Sequence, residues 1–132
     1  MKIAIGTDDL KTIRSRHFGE SKYFKIFDVR DVKVVETKVI ENVYLSQDDG
    51  TSHHHGNAKE IMQLLSDCQI FIARSMGMHS IPKLVQKGVQ PLITKMTDIE
   101  QALAAFLDGA IDSFLCFNPQ KKKFEPCKER PE

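Results

Sequence analysis

The side chains with most chemistry to offer are the five histidines, His17, His53, His54, His55 and His79. Neutral imidazole is the commonest nitrogen ligand for transition metals, and a pKa of about 6.5 leaves it mostly unprotonated at neutral pH. In an extended loop His53 and His55 face one way and His54 the other, so a metal could take two of the three. His79 lies in RSMGMHS at the mouth of a predicted helix, where backbone N–H groups and the positive dipole end suit anions. Arg74 adds a fixed positive charge, and Gly77 and Met78 complete the approach to that helix. Together these residues suggest a pocket for something both anionic and imidazole-coordinated. Each also has a plainer reading. His17 can be a solvated turn residue, the triple histidine a polar loop, His79 a helix-start residue, and Met76 and Met78 simple packing.

Other chemistries find less support. No C-x-x-C is present, so a preformed four-thiolate zinc or iron–sulfur site is not expected. Asp8, Asp9, Asp28, Asp48 and Asp49 could supply a two-metal nuclease centre, but the predicted strand directions separate Asp28 from Asp8. Lys121-Lys122-Lys123 lacks interleaved aromatics and reads as a solvated tail. No G-x-x-x-x-G-K, G-x-S-x-G, H-E-x-x-H or G-x-G-x-x-G occurs, so no enzyme active site is visible.

The elements that must position the histidines follow from periodicity. Lys2 to Thr7 reads as a buried strand ending at the turn-forming Asp8-Asp9. Tyr23 to Val29 and Val32 to about Val43 read as a hairpin across Arg30-Asp31, although the Asn-Gly signal is missing. A polar loop spans 44–56. A first helix starts near Asn57, with Ala58, Ile61, Met62 and Leu65 on one apolar face. Gln69 to Ala73 is a fourth strand. A second helix starts near Ser80, a candidate cap, and ends at Gly88. Val89 to Thr94 is a fifth strand. A third helix runs from the cap Asp98 to about Leu107, with Ile99, Ala102, Leu103 and Phe106 as its stripe. Residues 113–117 could form a short last strand before a mobile tail. A hairpin followed by helix crossovers implies a mixed sheet in which the loops after strands one, three and four leave one edge. All five histidines then sit at the carboxyl ends of the parallel strands, where open α/β sheets bind ligands. Cys68 and Cys116 fall toward the opposite edge, and only Cys127 could fold back.

At 132 residues the chain is one domain, and 41% apolar residues suffice for a core. A formal charge of +1, from 19 basic and 18 acidic residues, gives no broad basic face for nucleic acid or anionic membrane. No apolar run approaches a spanning helix, and MKIAIGTDD is not a signal peptide. Three cysteines without paired spacing fit a reducing interior, so a cytoplasmic protein is expected.

KIAIGTDD followed by HFGESKYFKIFD (residues 17–28) resembles the dinitrogenase iron–molybdenum cofactor biosynthesis family, which includes NifX, NafY and the carboxyl-terminal domain of NifB. The polar histidine–glycine loop, the apolar strand before Met76-Gly77-Met78 and the helix DIEQALAAFLDG fit the same pattern. The resemblance covers residues 1–112, the expected cofactor-binding domain, and leaves 113–132 as strand and tail. It implies an α/β, ribonuclease H-like mixed sheet of about five strands with packed helices and no nuclease activity. It also implies non-enzymatic carriage of the iron–molybdenum cofactor or a related metal–sulfur cluster in nitrogen fixation, between cluster donor and acceptor proteins. His17 matches the family's candidate ligating histidine. His53 and His55, and Arg74 with Gly77, Met78 and His79, are assigned by the edge argument. Rival readings are a zinc or nickel site on the histidine loop and a ligand-free regulatory or interaction module. Oligomeric state is not legible.

Overall fold

The computed structural model describes residues 1–44, 58–77 and 80–128. Its strands are β1 (Lys2–Thr7), β2 (Tyr23–Arg30), β3 (Lys33–Glu41), β4 (Ile70–Ala73), β5 (Gln90–Thr94), β6 (Phe114–Asn118) and β7 (Lys123–Pro126). Its helices are α1 (Ala58–Leu64), α2 (Ile81–Gln86) and α3 (Ile99–Leu107). All seven strands form one sheet in the order β3-β2-β1-β4-β5-β6-β7. β1, β4 and β5 are parallel, and β2, β3, β6 and β7 join through antiparallel ladders. The mixed α/β architecture and the strand directions agree with the sequence reading. The strand number does not: there are seven among the described residues, not about five.

β1 and β4 are buried on both faces, as central strands of a covered sheet must be. Ile3, Ile5, Ile70, Ile72 and Leu92 face α3, whose Ile99, Ala102, Leu103 and Phe106 form the expected stripe. Ala4, Phe24, Phe71 and Ala73 face the other way, against Ile61 and Met62 of α1, Leu65 just beyond it, and Leu84 of α2. Asp98 caps α3 by accepting from the Gln101 N–H at 2.8 Å. At α2 the cap is in place but not in function. The Ser80 hydroxyl donates to the Gly77 carbonyl at 3.2 Å and accepts nothing from the helix.

The C-terminal segment differs most from expectation. A turn through 119–122, with Lys122 at φ 56°, folds the chain back so that Leu115 pairs with Pro126. That brings Cys127 beside Cys116, and the two form a disulfide with Cα atoms 5.0 Å apart. The reading of three unpaired thiols is therefore corrected. The partners are 11 residues apart, and a spacing of that length declares itself only once the hairpin is seen. Cys68 stays a buried free thiol, its pKa pushed up to about 12 by burial. No described helix is long and apolar enough to cross a membrane.

Candidate functional site

The carboxyl ends of β1, β3, β4 and β5 lie at one edge, and the long connection after β1 folds into a fixed platform there. Asp9 organises its first turn: one oxygen accepts from the N–H groups of Lys11 and Thr12, the other from the Thr12 hydroxyl. These hydrogen bonds hold its carboxyl far below the ordinary carboxylate range. Asp8 ties the two ends of the connection together. Its carboxylate takes the Arg14 guanidinium at 2.6 Å and the Lys22 N–H at 2.9 Å. Both aspartates thus work within the fold. Asp28 pairs with Lys2 at the opposite edge, as expected, so it does not join Asp8 in a two-metal centre, and Asp48 and Asp49 lie outside the described residues.

His17 stands on this platform in a left-handed conformation (φ 49°, ψ 76°), immediately before a single 3-10 turn at Phe18–Glu20. Phe18 anchors the turn. Its ring is buried, stacks on Phe71 of β4 at 4.8 Å and tilts against Phe24 of β2 at 5.2 Å. Its N–H donates to the Ser75 carbonyl at 3.4 Å, which places His17 next to the connection after β4. Ser21 donates to the Phe18 carbonyl at 2.7 Å. Asn42, just past β3, sends its side-chain amide to the carbonyls of Gly19 (3.0 Å) and Ser21 (2.9 Å). Three strand ends therefore hold one turn. The His17 side chain is left 59% exposed, with Nδ1 3.7 Å from the Glu20 carboxylate. That separation is too long for a hydrogen bond.

Arg74, at the end of β4, has its Nε buried with no hydrogen-bond partner among the described residues. An orphaned guanidinium nitrogen is costly, and an acceptor brought to this place would relieve it. Gly77 is exposed two residues beyond Ser75. His53, His54, His55, Met78 and His79 lie outside the described residues. Among the described residues, no three His, Cys, Asp or Glu side chains come together in a way that could hold a metal ion. The helix mouth expected to attract anions belongs to a helix of six residues, too short for a strong dipole. Gly6, Ser21, Asn42 and the Asp8–Arg14 pair were not singled out as site residues. The sequence signal for them is faint, because their roles depend on how distant segments meet: Asn42 reaches Gly19 and Ser21, Asp8 reaches Lys22, and Gly6 abuts Ser21.

The model of the family described as dinitrogenase iron-molybdenum cofactor matches residues 1–109. The chain belongs to this family. No functionally curated protein matches it. Among solved structures, it resembles a candidate dinitrogenase of Methanocaldococcus jannaschii at 21% identity and TM-score 0.60, over 98% of this chain and 96% of that one. The apo form of the orange protein from Desulfovibrio gigas matches at 16% identity and TM-score 0.63, over 99% and 96%. A candidate NifB protein from Thermotoga matches at 21% identity and TM-score 0.58, over 82% and 88%. Identities this low speak for a shared fold. The family match ends at Gly109, ahead of the β6–β7 hairpin, whereas the structural likeness to the archaeal and orange proteins extends through it.

Proposed function

We propose that this chain binds an anionic iron–molybdenum or related metal–sulfur cluster and carries it between a donor and an acceptor protein, without catalytic turnover. Membership of the family supports the cargo class. The observation that carries the reading is His17: an exposed imidazole on a turn held by a buried phenylalanine and hydrogen-bonded to two other strand ends. A rigid mount with one exposed nitrogen donor suits capture and release, since few bonds must break at hand-over. His53 and His55 are assigned as further donors. Arg74, Gly77, Met78 and His79 are assigned to the face that meets the cluster's negative charge, with the unpartnered Arg74 Nε as the local support. We place this function in residues 1–112, within a ribonuclease H-like core whose support is the mixed β3-β2-β1-β4-β5 portion of the sheet. The Cys116–Cys127 disulfide removes the cysteine argument for a reducing interior, so the cytoplasmic setting is proposed on the role alone.

The test is anaerobic loading with isolated iron–molybdenum cofactor, followed by gel filtration and elemental analysis. His17→Ala should retain at least about tenfold less molybdenum than the parent protein, the loss expected from removing one ligand. Equal retention by the two proteins would remove His17 from the role. Zinc or nickel bound without molybdenum or sulfide would favour a simple metal site instead.

A further inference from the structure

β3 closes one side of the sheet, and among the described residues no strand lies on its outer side. Its backbone polarity can be assigned. The Asn42 N–H donates to the Lys22 carbonyl, continuing the β2–β3 register in which residue numbers sum to the same value. Narrow hydrogen-bonded pairs therefore fall at Ile40, Lys38 and Glu36, and the alternate residues Thr37 and Val39 direct their N–H and C=O groups outward. Val35 and Val39 are about half exposed (55% and 48%), unusual for β-branched side chains in a row.

The sequence of this edge, KVVETKVIE, has mirror-related charges. Folded about Thr37, Glu36 meets Lys38, Lys33 meets Glu41, and Val35 meets Val39. We infer that β3 docks on β3 of a second copy of this chain, antiparallel, about a two-fold axis at Thr37. Thr37 would pair with its own copy and Val39 would lie opposite Val35, through the outward-facing backbone groups of Thr37 and Val39, which makes the hydrogen-bond polarity consistent with the charge pattern. Edge lysines normally block strand addition because like charges meet. Here every charge meets its opposite. Sliding by two residues would set Glu36 on Glu36 or Lys38 on Lys38, and sliding by one would exchange the faces, so a single register is selected. The bulge that makes Val35 the extra residue opposite β2 confines the pairing to Val35–Val39 of each copy. Main-chain hydrogen bonds hold the contact and the charges choose the partner.

Sedimentation equilibrium over a concentration series tests this. The parent protein should dimerise reversibly. Glu36→Lys and Lys38→Glu, at side chains more than half exposed, should each weaken dimerisation at least about tenfold by turning two attractive pairs repulsive. An equimolar mixture of the two variants should recover a heterodimer, since each then meets the opposite charge. A parent protein that stays monomeric up to about 1 mM would overturn the inference. So would variants that dimerise as the parent does, or a mixture that fails to recover.

Discussion

At Gly6 the backbone of β1 runs against the turn that carries His17. A Cβ there would overlap the Ser21 hydroxyl and come within 3.2 Å of the Phe18 carbonyl. Ser21 is fully buried and already bonded to that carbonyl, so it has nowhere to go. Gly6→Ala should cost about 1–3 kcal/mol, read as a lower denaturation midpoint with the slope unchanged. A glycine was visible in the sequence, but its reason lies fifteen residues away by count from Gly6 to Ser21 and could not be read locally. Asp9 gives a pH prediction. Its folded pKa lies below the unfolded value of about 4, so its contribution to stability is complete above that pH and fades as pH falls through and below it. In a series of melting temperatures against pH, Asp9→Asn should therefore lose less below about pH 4 than the parent protein does.

Among the elements, the β2–β3 hairpin carries a local cost. Asp31 and Val32 both have positive φ, 52° and 65°, between the closing pair Arg30 and Lys33. Such a turn suits Asp-Gly, and a β-branched residue there is strained. Val32→Gly should raise stability by about 1 kcal/mol, seen as a higher melting temperature. Without a glycine the turn does not announce this hairpin, and its strands are legible through β-branched content instead. The α3 stripe was readable because Ile99, Ala102, Leu103 and Phe106 repeat at helical spacing and bury together. β7 was not. KFEP, between a lysine run and a cysteine, has no burial pattern of its own and forms by pairing with β6.

For the molecule as a whole, strand directions are derivable because crossovers and hairpins leave few choices, and they bring the turn that carries His17 to Ser75 and Asn42. What sequence could not supply was the mount beneath His17, built from contacts between distant strand ends. The disulfide adds a measurable property. Without reductant, the denatured protein should show one titratable thiol, Cys68, and after reduction all three cysteines. Reduction should lower stability by about 2–3 kcal/mol, the value for a short closed loop.

The position of β1 also bears on how the chain assembles. Its neighbours come from very different distances: β2 arrives soon after, whereas Ile3 must wait for Ile70 before its other side is covered. During synthesis the first three strands can meet early, as a three-stranded meander with both faces still bare. Closure of the long intervening segment, and not formation of any one helix, then sets the pace at which the centre of the protein becomes dry.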